Sequence, residues 1–279
     1  MIFFLKRLFL AIVMKLILTI LLGQLAIFSN AQSIHLKDLK MDTVQVSDIQ
    51  SVFSMPYDLS DIESSSRIFN DANYYYKRGD VLQAENLMKK AIKKDPNRFE
   101  YHYLQSYIMM DVGDMKAAVH HAEEAVRIQP QNWKSYYLLG LAKYTAKDFL
   151  GANIEYSKAI EIAPGEFLSY EGRGYAKSEL KDPLGAYNDF NFAIMIKPTY
   201  IRAYLGRGIM SYELKRYADA IPDFTSVLMR EPENVKALFY RGMSRIKMGD
   251  MINACEDLQK SSRLGLPQAY REMKNNCGN

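Results

Sequence analysis

Five prolines, Pro96, Pro130, Pro164, Pro198 and Pro232, each follow the last by 34 residues. Independent loops have no reason to share one length, so the spacing requires a chain built from copies of one unit. In this register the units are 65–98, 99–132, 133–166, 167–200, 201–234 and 235–268. Position 20 is alanine throughout: Ala84, Ala118, Ala152, Ala186, Ala220 and Ala254. Position 8 is always small (Ala72, Ser106, Gly140, Gly174, Gly208, Gly242), and position 27 is Ala91, Ala125, Ala159, Ala193, Val227 or Ser261. Small residues at 8 and 20 let two helices approach closely, where a larger side chain would wedge them apart. A turn is expected at positions 15–16, where Gly79-Asp80, Gly113-Asp114 and Gly249-Asp250 stand. Proline at position 32 has no amide hydrogen and disfavours helix in the residue before it, so it ends the second helix. Larger apolar residues recur between these marks at helical spacing, among them Tyr136, Leu139, Tyr156, Tyr170 and Phe190.

These residues resemble the tetratricopeptide repeat (TPR), a helix–turn–helix unit with small residues at 8, 20 and 27 and proline at 32. The resemblance covers about three quarters of the chain. It implies an all-α fold, a TPR α-solenoid in which helix hairpins wind into a right-handed superhelix with a concave side, closed by a C-terminal capping helix. One hairpin cannot bury its apolar face alone, whereas six stacked hairpins can. The expected organisation is a signal peptide at 1–31, a flexible lead-in at 32–64, six repeats over 65–268, and a capping helix and tail at 268–279.

Residues 1–31 hold Lys6, Arg7 and Lys15 and no acid. A positive charge at Lys15, an apolar run Leu16–Phe28 and the small-residue pattern Ser29-Asn30-Ala31 have the tripartite form of a secretory signal, cut after Ala31. The competing reading is a retained anchor, but the run falls short of the roughly 20 apolar residues needed to span a bilayer. Met14 is an alternative start. The expected product is an exported protein, periplasmic or secreted, without stable membrane insertion. Without this segment 33 basic residues face 32 acidic ones, a balance that gives nucleic acid no phosphate-neutralising face. Residues 32–64 are rich in Asp and Ser and carry no repeat signature.

Position 7 is Arg173, Arg207 and Arg241 in three units, and position 23 of the same units is Asp189, Asp223 and Asp257. The other units carry Asp71, Gln105 or Leu139 at position 7 and no Asp at 23. The spacing of sixteen joins the two helices of one hairpin, and predicts an ion pair within each of these repeats. The alternative is a row of arginines that binds anions. Cys255 and Cys277 lie equally far from Leu266 in a helix–turn–helix, which places them side by side and predicts a disulfide pinning the cap; two free thiols are the alternative. His102, His120 and His121 gather in the second unit without further ligands at metal spacing. No phosphate loop, nucleotide fingerprint or acid–base pair stands out, so no cofactor, metal site or catalytic residue is expected, and no enzyme.

In the family the first helix of each hairpin lines the concave surface, with positions 2, 5, 9, 12 and 13 facing the groove. Carried onto this chain, the resemblance assigns partner binding to Phe69, Tyr103, Tyr107, Tyr137, Tyr144, Tyr175, Tyr212 and Phe239. Lys77, Lys134, Arg202, Lys236 and Lys247 are scattered at positions 2 and 13, unlike the repeats that grip acidic chaperone C-termini. The expected groove is aromatic and sparsely charged. Such a surface suits a protein or peptide, and the leading function is a non-enzymatic scaffold or adaptor of the cell envelope. Two alternatives are a glycan- or peptidoglycan-binding module using the same rings, and a spacer whose groove is filled by its own 32–64 segment.

Overall fold

A computed structural model describes residues 59–278, with side chains from Ser64 onward. The expected signal peptide and nearly all of the expected lead-in lie outside these residues. Among the described residues there are thirteen α-helices and no strand. They run α1 (Leu59–Lys77), α2 (Val81–Lys94), α3 (Phe99–Val112), α4 (Met115–Ile128), α5 (Trp133–Thr145), α6 (Phe149–Ile162), α7 (Phe167–Glu179), α8 (Pro183–Ile196), α9 (Ile201–Glu213), α10 (Tyr217–Arg230), α11 (Val235–Met248), α12 (Met251–Arg263) and α13 (Pro267–Asn276). Helix α1 begins six residues ahead of position 65 and so takes in the end of the segment expected to be flexible.

Each hairpin turns by the same device. Position 15 takes the left-handed conformation in all six units, at φ 82° for Gly79, 89° for Gly113 and 83° for Gly249. Lys147, Lys181 and Lys215 take it too, at φ 65°, 63° and 60°. A backbone bond five residues back closes every turn, as Asp148 N–H donating to Lys143 O (2.8 Å) and Arg216 N–H to Ser211 O (2.8 Å) illustrate. The next residue caps the second helix: Asp80, Asp114, Asp148, Asp182 and Asp250 each accept from an amide three residues on. In the fifth unit Arg216 stands there and makes no side-chain cap.

Successive hairpins stack through position 24. Tyr156 fills the space left by Gly140 of its own hairpin and Gly172 of the next; a Cβ on Gly172 would lie 2.5 Å from its ring. Phe190 is held the same way between Gly174 and Gly206. The first helices also touch one another along the stack, α3 on α5, α5 on α7, α7 on α9 and α9 on α11, whereas second helices make no contact of similar extent. The side where neighbours crowd is the inside of a curve, so the odd-numbered helices line the concave face of an all-α solenoid.

Candidate binding site

Positions 5 and 9 are one helical turn apart and share the inner face of each odd-numbered helix. In α3 this pairs Tyr103 with Tyr107, their rings 5.3 Å apart and their hydroxyls 3.4 Å apart. With Phe69, Asn73, Tyr76, Phe99 and Leu104, and with Lys77 and Glu100, these two tyrosines line a cavity of about 500 Å³ between α1 and α3. Burial, and then the neighbouring Tyr103, push the Tyr107 hydroxyl above the usual phenol range. The Tyr76 hydroxyl leaves the apolar wall to donate to Asp111 Oδ2 at 2.7 Å. Of the eight aromatic residues assigned to partner binding, this cavity gathers Phe69, Tyr103 and Tyr107. The others are distributed along the stack. Tyr137 and Tyr144 pack with Tyr156, Tyr175 lies edge-on to Phe190 at 5.1 Å, and Tyr212 and Phe239 both rest on Tyr240. All eight are part-buried.

One carboxylate interrupts the row of aromatic and apolar residues at position 5. Position 5 of the fourth unit is Glu171, whose neighbours at this position are Tyr137 and Leu205, and only 5% of it is exposed. Tyr200 donates its hydroxyl to Glu171 Oε2 at 2.7 Å. Arg202 Nε stands 3.2 Å from Oε1 in an ion pair, but Oε1 accepts no hydrogen bond. Burial pushes the Glu171 carboxyl above its ordinary range, against the hydrogen bond from Tyr200 and the charge of Arg202. Burial chiefly, and then this carboxylate, raise the Tyr137 hydroxyl to about 12, and both act upward on Tyr175. Positions 2 and 13 supply further acids that a search for basic residues passes over, Glu100, Asp111, Glu179 and Glu213.

The arginines of position 7 lie away from this groove chemistry, between the two helices of a hairpin. Arg173 grips Asp189 with two bonds, Nε to Oδ2 (2.9 Å) and Nη2 to Oδ1 (2.7 Å). Arg207–Asp223 and Arg241–Asp257 repeat this fork. The remaining Nη1 reaches back to the preceding unit, to Ser157, Asn191 or Thr225 at its position 25. The ladder therefore joins hairpins as well as helices. Lys177 and Arg245 add a second cation to Asp189 and Asp257, while the equivalent of Lys177 beside Asp223 is Ser211. In the third unit the same place holds Glu155 between Lys143 and Lys158.

In the second unit positions 4 and 23 are His102 and His121, with their Nδ1 atoms 3.1 Å apart. His102 Nε2 faces the Pro96 carbonyl at 2.9 Å, and since a carbonyl only accepts, that nitrogen carries the proton. His102 Nδ1 then accepts from His121. Among the described residues no group of three or more His, Cys, Asp and Glu side chains could hold a metal ion. Cys255 of α12 and Cys277 after α13 are joined by a disulfide, their Cα atoms 5.7 Å apart. No described helix is long and apolar enough to cross a membrane.

A family model for the tetratricopeptide repeat matches residues 69–132 and 109–167. Over these residues the chain carries tetratricopeptide repeats. Solved structures resemble this TPR chain at low identity. That of pilF from Pseudomonas aeruginosa has a TM-score of 0.69 at 18% identity, over 77% of this chain and 99% of that one. PilW, a widely conserved type IV pilus biogenesis factor, has a TM-score of 0.67 at 15% identity, over 75% of this chain and 97% of its own. YrrB, a TPR protein with an unusual peptide-binding site, has 0.56 at 16% identity, over 67% of this chain and 97% of its own. At these identities the likeness is one of fold. No curated protein matches the sequence.

Proposed function

We propose that this TPR chain is a non-enzymatic scaffold of the cell envelope that holds a segment of a partner protein in its concave groove. The observation that carries this is the row of part-buried tyrosines and phenylalanines along the odd-numbered helices, opening at one end into the apolar cavity of about 500 Å³. Rings fixed by packing on one side offer contact area with little entropy left to lose, and their hydroxyls orient a bound backbone. An envelope location is supported by the export pattern of residues 1–31 and by the Cys255–Cys277 bond, which persists in oxidising compartments. A pilus biogenesis factor among the structural neighbours is consistent with it.

In-cell photo-cross-linking tests the reading. A photoreactive residue placed at Tyr107 or Met243, on odd-numbered helices, is expected to capture the same protein. Placed at Ile154 or Ile252, exposed on even-numbered helices, it is expected to capture none. Capture from the even-numbered helices alone would move the site to the convex face. A cross-linked species that disappears on cell-wall digestion would replace the peptide with a glycan.

A further inference from the structure

Glu171 constrains the chemistry of a segment held in the groove. Five units place an apolar or aromatic residue at position 5, and any such residue would satisfy packing in the fourth. A carboxylate there is desolvated, a cost that a structure retains only against a compensating group. The compensation in hand is partial. Oε1 accepts no hydrogen bond, and the cation beside it belongs to Arg202, a side chain two-thirds exposed (66%) and able to move into solvent. Around the carboxylate stand Tyr137, Tyr175 and Tyr200, close enough for each to feel its charge. Tyrosine faces attract cations, and the attraction grows where water is excluded. The same pairing of ring and acid recurs along the groove, with Tyr76 bonded to Asp111, Glu179 acting on Tyr144 and Glu213 on Tyr240.

Resting on the reading of the groove as a protein-binding surface, we propose that the bound segment is basic and seats one lysine or arginine side chain on Glu171 within the rings of Tyr137, Tyr175 and Tyr200. Arg202 occupies the place of that cation in the free protein. The incoming ammonium or guanidinium displaces it and donates to Oε1, the oxygen that lacks a hydrogen bond. Glu171 thereby sets register, because a segment shifted by one residue leaves the carboxylate buried against an apolar side chain.

The test selects random 12-residue peptides displayed on phage against the full-length chain. The selected peptides are then titrated onto the chain and its variants, followed by the fluorescence of Trp133, which lies edge-on to Tyr137 at 6.0 Å. The expected peptides share one Lys or Arg at a fixed distance from an apolar anchor. Replacing that residue by Met weakens binding at least tenfold on the native chain and less than twofold on Glu171→Gln, which keeps an acceptor for Tyr200. Arg202→Gln, an exposed change that does not threaten the fold, binds the cationic peptide several-fold more tightly. Peptides selected without a fixed cation, or an unchanged affinity in Arg202→Gln, overturn the inference and leave the groove reading in place. Peptides whose binding survives Tyr107→Ala/Tyr137→Ala overturn both, as does a failure to select any peptide.

Discussion

Three lysines hold a backbone conformation that costs an L-residue about 1–2 kcal/mol, at the turn position where three other units use glycine. Glycine removes that strain but loses more freedom on folding, roughly 0.5–1 kcal/mol. Lys181→Gly is therefore expected to stabilise the chain by up to about 1 kcal/mol, read as a higher urea midpoint at unchanged slope. Gly249→Ala is expected to move the midpoint the other way. The forked pairs permit a sharper test. Asp223 is buried and has Arg207 as its partner, without the second cation that Asp189 receives from Lys177. Asp223→Leu leaves the Arg207 guanidinium part-buried and uncompensated, for an expected loss of about 3–5 kcal/mol. The double variant Arg207→Met/Asp223→Leu is expected to recover most of that loss, since the desolvation of both charges goes with them. A double as unstable as the single would show that Asn191, which Arg207 also binds, carries the energy instead.

At the scale of the element, the cap contrasts with the hairpins it closes. Helix α13 buries only Ala269, so apolar contact holds it weakly, and the Cys255–Cys277 bond does most of the holding. For a crosslink spanning 22 residues the chain-entropy model gives about 3 kcal/mol. Cys277→Ser is expected to abolish hydrogen-exchange protection in α13 while leaving α1 to α8 unchanged, because a repeat touches only its neighbours. Equal protection in the two chains would mean that the cap is held by packing. The same locality explains what the sequence reveals. Helix ends, turns and the sixteen-residue Arg–Asp spacing belong to single hairpins, so they recur with the period and can be read from it. The third bond of each arginine goes to the preceding unit and ends on Ser157, Asn191 or Thr225, three different residues that no repeat pattern flags. The surroundings of Glu171 are hidden for the same reason: Tyr200 closes the fourth unit and Arg202 belongs to the next hairpin, and only the stacking angle brings them to α7. The lysine turns escape notice because lysine carries no mark of the left-handed conformation.

For the whole molecule, a solenoid is as continuous as its weakest interface, and acid identifies a candidate for it. His102 and His121 lie between α3 and α4 with their rings neutral and in contact. Burial chiefly, and then His102 and His120, lower the His121 pKa to about 4, against weaker upward pulls from Glu124 and Asp114. Burial also lowers His102, outweighing the Pro96 carbonyl and Glu124, while Arg127 and His120 push the same way as burial. In the unfolded chain both titrate near the ordinary value of about 6.5, so the unfolded state binds more protons and stability rises with pH across this window. The contribution is complete above about pH 6.5 and is lost as the pH falls towards 4. A globular domain would spread that loss over one cooperative transition. In a stack of hairpins it falls on the second unit, which joins α1 and α2 to everything that follows. Heating at pH 7 is then expected to give one transition, and heating near pH 4.5 two, the earlier one exposing α1 to α4 to hydrogen exchange while α7 to α12 stay protected. His121→Leu, which installs the residue that Leu87 provides at this position in the first unit, is expected to flatten the pH dependence between 6.5 and 4 and merge the two transitions. If the variant melts in two steps at the same pH as the native chain, the acid-sensitive joint lies elsewhere in the stack.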